Sequence, residues 1–229
     1  GGTLVVAHPV TPTTVYALVR GAGAFVSFDR GDHWQPMLKD SEAIRLAMDA
    51  EDPKTLYFSG SGILRSRDGG RSWVNLTLGE PPFGFHPENG CFVGCPAAHP
   101  SETGVVYVGT GSCEGIPVLP GEGGVFYSED YGNSWVTRTV GLTDTDLVDI
   151  TFHPTDPEVM ATAGTHGDIF TSTDGGLTWH WAADLGEQLR RIYFDPSGSP
   201  EAWVVPHAEF QPPSAPYLWK SKGLGLGNW

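Results

Sequence analysis

The sequence predicts an all-β chain of radially repeated four-stranded antiparallel blades, a β-propeller. Three observations point there: a phrase that recurs in phase, a second landmark upstream of each copy, and a composition suited to short strands and tight turns. The phrase S-x-D-x-G-x-x-W occupies Ser27 to Trp34, Ser66 to Trp73, Ser128 to Trp135 and Ser172 to Trp179. A degenerate fifth copy runs from Ser221 to Trp229, with Gly223 in the aspartate position and one extra residue before the tryptophan. The intervals between tryptophans are 39, 62, 44 and 50 residues, which suits one blade each with loop insertions and is too uneven for a solenoid.

The second landmark is His8-Pro9, Asp49 ahead of Asp52-Pro53, His99-Pro100, His153-Pro154 and Asp195-Pro196. Each unit then parses as an inner strand ending at the His or Asp, a second strand such as 105–108, a third such as 124–127, and a fourth opening at the tryptophan. The repeats fall at about 1–40, 41–79, 80–141, 142–186 and 187–229, within a single propeller domain. With 31 glycines, 19 prolines and 8 tryptophans among 229 residues, the composition favours turns and sheet packing over helices.

The phrase makes sense as a turn between the third and fourth strands. Its aspartate can accept backbone N–H groups, its glycine can take positive φ, and its tryptophan can bury a ring between sheets. Asp29, Asp68, Asp130 and Asp174, with Trp34, Trp73, Trp135 and Trp179, are therefore expected to be structural.

These phrases resemble the Asp-box, or BNR-repeat, propellers, a superfamily that includes sialidases, xyloglucan-active glycosidases, sortilin-type receptors and photosystem II assembly factors. The resemblance runs over essentially the whole chain and implies the propeller fold. It does not imply one function, because the box is a structural turn in enzymes and non-enzymes of the superfamily alike. Such families commonly have six or more blades, so five repeats imply an incomplete ring that further chain, a partner or another copy would complete. A closed five-bladed ring is the alternative.

A formal charge of -14, with 13 basic residues that form no run, argues against nucleic acid and anionic membranes as partners. No apolar run approaches the roughly 20 residues of a bilayer span. The start at Gly1-Gly2 reads as a processed, engineered or excised chain, expected to be soluble and secreted or extracellular.

Antiparallel connectivity puts the boxes and the His-Pro turns on one face, and the loops between second and third strands on the other with the blade-to-blade connections. Aligning the inner strands on the His/Asp landmark brings Leu4, Arg45, Cys95, Asp149 and Arg191 into one column beside the central channel. Arg45, Asp149 and Arg191 form either a polar ring for a ligand or a hydrated ion-pair network. His166 and Asp168 lie on the same loop face and join them as ligand-binding candidates.

Glu114, Glu122 and Glu209, on inserted loops, and Asp149 are the candidates for the paired carboxylates of glycoside cleavage. Asp144-Thr145-Asp146 lacks the glycine and terminal glutamate of an EF-hand loop, and Cys91, Cys95 and Cys113 lack a clear fourth zinc ligand. No metal and no cofactor is expected. The cysteines leave one disulfide with one thiol, or three thiols, open.

Within the superfamily, the sialidase arginine triad and its Phe/Tyr-Arg-Ile-Pro phrase are not matched; the nearest text is Leu189-Arg190-Arg191-Ile192. The blade-one loop of xyloglucan-active hydrolases carries a catalytic aspartate, whereas Leu18 to Ala24 contains none. The assembly factors present a basic patch, which this acidic chain lacks. The first expectation is thus a non-catalytic extracellular or cell-surface propeller that binds protein or glycan, or serves as a scaffold. The alternative is a polysaccharide-acting glycoside hydrolase whose acids lie on the inserted loops or outside this sequence.

Overall fold

The structure, a computed structural model, describes residues 3–19, 21–39, 45–60, 62–76, 94–110, 123–207 and 218–223. Within these residues the chain is all-β, and its strands follow one another into successive antiparallel sheets. Blade one contains β1 (Thr3–Ala7), β2 (Val15–Val19), β3 (Gly23–Ser27) and β4 (Gln35–Lys39). Blade two contains β5 (Arg45–Met48), β6 (Leu56–Ser59), β7 (Ile63–Ser66) and β8 (Val74–Asn75).

Blade three is built from β9 (Pro96–Ala98), β10 (Val106–Gly109), β11 (Val125–Ser128) and β12 (Val136–Thr137). Blade four has β13 (Leu147–Phe152), β14 (Met160–Gly164), β15 (Asp168–Ser172) and β16 (His180–Asp184). Blade five has β17 (Leu189–Phe194), β18 (Ala202–Pro206) and β19 (Trp219–Lys220) among the described residues. The five repeats are thus five blades of a propeller, each beginning on its inner strand, as the two landmarks require. The end of the fifth phrase, beyond Lys222-Gly223, falls outside the described residues.

Each complete box closes in the same way. The serine hydroxyl donates to the aspartate, at 2.7 Å for Ser27–Asp29 and Ser66–Asp68 and 2.8 Å for Ser128–Asp130 and Ser172–Asp174. That hydroxyl also accepts the amide of the box glycine: Gly31, Gly70, Gly132 and Gly176 at 2.7, 2.8, 2.7 and 2.9 Å. The carboxylate then accepts the amide of the seventh residue, His33, Ser72, Ser134 or Thr178, and pairs with that residue's side chain through its other oxygen.

This winding needs left-handed backbone at the fourth and fifth residues. Arg30 and Tyr131 adopt φ of 65° and 63°, and box glycines such as Gly176, at 77°, follow. Hydrogen bonding holds the Asp29 and Asp68 carboxyls well below the usual carboxylate range; the leading donors are the His33 amide for Asp29 and the Ser72 hydroxyl for Asp68.

The His/Asp landmark caps the turn between first and second strands. His8 Nδ1 accepts the amides of Val10 and Thr11, His99 Nδ1 that of Ser101, Asp49 Oδ1 those of Glu51 and Asp52, and Asp195 Oδ1 that of Ser197. The free end of this residue can reach the next blade: Asp49 Oδ2 accepts Gly104 N at 2.7 Å, and His153 Nε2 meets Ser199 O at 3.2 Å.

Apolar clusters join consecutive blades. Leu18, Ala24 and Phe58 join blades one and two; Ile63, Val108 and Phe126 join two and three. A cluster around Tyr107, Phe170 and Trp179 joins three and four, and one around Ile169, Ile192 and Val204 joins four and five. The box tryptophans enter this packing, with one difference from expectation. Trp73, Trp135 and Trp179 pack against the preceding blade, whereas Trp34 of the first blade is 41% exposed.

Replacing the fully buried Ser172 by alanine removes the acceptor of the Gly176 amide and the donor to Asp174. The Ser172→Ala variant is expected to lose about 1–3 kcal/mol in urea unfolding. An unchanged midpoint would show that the box is not closed by this hydroxyl. Acid should also weaken the fold. The box carboxyls are depressed in the folded state, so their stabilisation is complete above the unfolded value of about 4 and disappears as pH falls below it. Circular dichroism melts between about pH 2 and pH 6 read this out.

Candidate functional site

The inner strands of blades two to five surround a cavity of about 190 Å3 at the central channel, lined by Arg45, Cys95, Asp149, Thr151, Arg191 and Tyr193 among others. The sequence column of Arg45, Cys95, Asp149 and Arg191 is therefore assembled in space, while Leu4 is not among the lining residues. Two β-bulges shape this place, one between Leu147 and Asp149 on β13 and one between Leu189 and Arg191 on β17. A bulge leaves one residue out of the ladder and re-aims its neighbours. The extra residues are Val148 and Arg190, and the Arg45 guanidinium takes up both freed carbonyls, at 3.4 and 2.8 Å. One side chain from blade two thus ties down both irregular strands.

Cys95 sits at the centre of the cluster. Its Sγ accepts from Arg45 Nε at 2.9 Å and lies 3.0 Å from Val148 O and 2.9 Å from Asp149 Oδ1, as a thiol donor would. The second carboxylate oxygen, Asp149 Oδ2, accepts Ile192 N at 3.0 Å, and Arg45 Nε lies 3.9 Å from Oδ1. Burial, then the neighbouring Asp149 charge, push the Cys95 thiol up to about 12, so at neutral pH it remains a protonated donor. Burial by itself would pull the Arg45 guanidinium down, but Cys95 and Asp149 carry it above its ordinary value, and it stays a cation. Arg191 pairs with Val205 in the β17–β18 ladder, its side chain makes no hydrogen bond or ion pair among the described residues, and its strand places it at the cavity wall.

His166 and Asp168 fall elsewhere on the same face, in and after the turn between β14 and β15. His166 Nδ1 lies 3.3 Å from Asp144 Oδ2, and Asp168 Oδ1 accepts Trp181 Nε1 at 2.7 Å. Asp144 Oδ1 also accepts the Asp146 amide, and Asp146 Oδ1 accepts the Thr165 hydroxyl, so the Asp-Thr-Asp segment is a hydrogen-bonded turn. Among the described residues no group of three or more His, Cys, Asp or Glu is arranged to hold a metal. Trp181 is 46% exposed, with its ring orientation fixed through Asp168. The sequence reading missed this tryptophan because it stands two residues beyond the box tryptophan Trp179, whose repeat position drew attention instead. Glu114, Glu122, Glu209, Cys91 and Cys113 lie outside the described residues.

Four closed boxes on radially repeated sheets define an Asp-box β-propeller. A BNR/Asp-box repeat profile matches residues 170–180, the box of blade four. A xyloglucanase from Paenibacillus sp is 26% identical over 239 residues, covering 95% of this chain and 18% of the relative. The chain therefore spans less than a fifth of that relative's length. Among solved structures, the GH74 xyloglucanase from Xanthomonas campestris superposes with a TM-score of 0.66 at 18% identity, over 95% of this chain and 35% of that one. A YCF48 protein bound to D1 peptide superposes with a TM-score of 0.56 at 17% identity, over 90% of this chain and 64% of that one. No helix among the described residues is long and apolar enough to cross a membrane.

Removing one partner of a buried ion pair leaves the other uncompensated. Arg45→Ala is expected to cost about 3–5 kcal/mol in chemical unfolding, and a loss below about 1 kcal/mol would place the pair with weakly coupled surface pairs. Cys95 should also resist iodoacetamide at pH 8 in the native protein and react after unfolding, as read by peptide mapping. Rapid native labelling of Cys95 would contradict its burial as a hydrogen-bonded thiol.

Proposed function

We propose that the chain is part of a polysaccharide-acting glycoside hydrolase of the xyloglucanase type, working outside the cell. The observation that carries this reading is a xyloglucanase relative whose similarity extends over 95% of the chain rather than over the boxes alone. This favours the hydrolase over the non-catalytic propeller that the sequence placed first. A neutral, hydroxyl-rich polymer also suits a chain of net charge -14, which would repel a polyanion.

The bond-breaking step requires one carboxylic acid to protonate the leaving oxygen and a second carboxylate to act as base or nucleophile, about 5–9.5 Å away. Asp149 is poorly suited to either role, since Cys95 and Ile192 N occupy its two oxygens and Arg45 stands beside it. In this reading it holds the channel in shape. The acids come from Glu114, Glu122 and Glu209, or from polypeptide outside this chain. Arg191 at the channel, and His166 and Asp168 on blade four, supply polar contacts to the polymer, while Arg45 is held by the bulge carbonyls, Cys95 and Asp149 and shapes the channel. The exposed Trp181 ring offers a stacking surface for a sugar.

A second reading, a propeller that binds a peptide or protein, is favoured by the structural neighbour bound to D1 peptide. Affinity electrophoresis separates the two. Xyloglucan cast in the gel is expected to retard the chain, Trp181→Ala is expected to reduce the retardation several-fold, and starch is expected to leave mobility unchanged. Free mobility in xyloglucan would overturn the hydrolase reading. Where xyloglucan is cleaved, Glu114→Gln, Glu122→Gln and Glu209→Gln identify the acids by loss of reducing-end release with binding retained.

A further inference from the structure

Blade four departs from the repeat at three positions that come together at the outer end of its β15–β16 pair. Four residues before the box serine the first three blades have glycine, at Gly23, Gly62 and Gly124, where blade four has Asp168. Two residues after the box tryptophan they have Pro36, Asn75 and Thr137, where blade four has Trp181. Five residues after it they have Lys39, Leu78 and Val140, where blade four has Asp184. The other blades form without an aspartate pair or an indole at these places, so none of the three is needed to build a blade.

A bulge puts the three on one side of the sheet. Asp168 pairs with Asp184 and Ile169 with Ala183, and the register then shifts so that Phe170 pairs with Trp181. The extra residue is Ala182, which is buried. In an unbroken ladder Trp181 would lie opposite Thr171, on the other face from Asp168. Blade one has the same bulge, between Ala24 and Phe25, yet it holds Gly23, Lys39 and Pro36 at these positions. The bulge therefore belongs to the repeat, and the side chains it displays belong to blade four.

Asp168 Oδ1 holds Trp181 Nε1 at 2.7 Å, and Asp184 Oδ1 accepts Gly186 N at 2.7 Å. The other oxygen of each carboxylate makes no hydrogen bond among the described residues. Like charges directly opposite in a ladder work against the sheet, a cost that blade one does not meet because Gly23 faces Lys39 there. An oriented, half-exposed indole beside two groups that only accept hydrogen bonds is matched by a ligand with an apolar face and hydroxyl donors at its edge. An uncharged pyranose is such a ligand. A uronic acid or sulfated sugar has the same ring but brings an acceptor where a donor is wanted, and a charge of the sign that both aspartates repel.

We propose that Asp168 and Asp184 make Trp181 a subsite for uncharged sugar units, with Asp168 as the positioning residue that aims the ring and Asp184 as the residue that selects against carboxylated and sulfated units. The inference rests on the polysaccharide reading above and adds to it the class of sugar unit that this part of blade four accepts and the residues that decide it.

The test measures fluorescence anisotropy of labelled xyloglucan fragments carrying hydroxyethyl or carboxymethyl groups at equal substitution, so that bulk is matched and charge is not. At low ionic strength the chain is expected to bind the hydroxyethyl form about tenfold more tightly than the carboxymethyl form. Asp184→Asn should cut that preference about threefold or more. Glu51→Gln, which removes the same charge from the exposed turn between β5 and β6, should leave it unchanged. Asp168→Ala should weaken binding of the hydroxyethyl form several-fold by releasing the indole, and Asp168→Asn, whose amide oxygen can still accept from Nε1, should restore most of the loss. Equal affinity for the two forms, or a preference that falls as much in Glu51→Gln as in Asp184→Asn, overturns the selectivity. Equal losses in Asp168→Ala and Asp168→Asn overturn the positioning role. Binding without these differences sinks this inference alone, whereas no binding of any fragment, unmodified xyloglucan included, sinks the hydrolase reading with it.

Discussion

The interaction on which the rest of the molecule depends is the hydrogen bond from the box serine to the box aspartate. The serine hydroxyl gives its one proton to the carboxylate, so its lone pairs are left to collect the glycine amide. The carboxylate then has an oxygen free for the seventh residue, and the backbone must pass through two left-handed positions. That winding delivers the tryptophan to the edge of its sheet, where its ring meets the preceding blade. A turn of eight residues therefore sets how one blade leans on another, and repetition of the turn makes the propeller.

The channel depends on those leans but follows a different logic. Inner strands in a propeller converge on the axis, and two of them here carry bulges whose unpaired carbonyls would be costly without donors. Arg45 supplies the donors from a third blade, and its charge is balanced by Asp149, which is itself held by a protonated thiol and a backbone amide. Charge is thus concentrated at the axis for structural reasons, with Arg191 at the wall of the same cavity.

Much of the fold was legible in the sequence because the box and the His/Asp landmark are local devices. Their partners lie within four residues, so identity and spacing carry the geometry: Asp29 and Asp174 make the same bonds in the first and fourth blades. The seventh residue makes the same bond as His33, Ser72, Ser134 or Thr178, so its role is spread over three residue types and leaves no single-letter signature in the repeat. The exposure of Trp34 was not legible, since it depends on whether another sheet lies alongside. The channel column was found by alignment, yet the bonds that Arg45 makes across it depend on bulges at Val148 and Arg190, which shift the register without leaving a mark in the residue pattern. The candidate acids Glu114, Glu122 and Glu209 fall on insertions, where the repeat supplies no register to compare.

The measurement that bears most directly on the central claim is a structure of the complete protein with a bound xyloglucan oligosaccharide. The account expects the sugar on the face formed by the β14–β15 turn and the blade-to-blade connections, near Asp168, Trp181 and Arg191, with all four boxes on the opposite side and free of ligand. Sugar seated on the box face, or no sugar at concentrations that saturate a xyloglucanase, would contradict it.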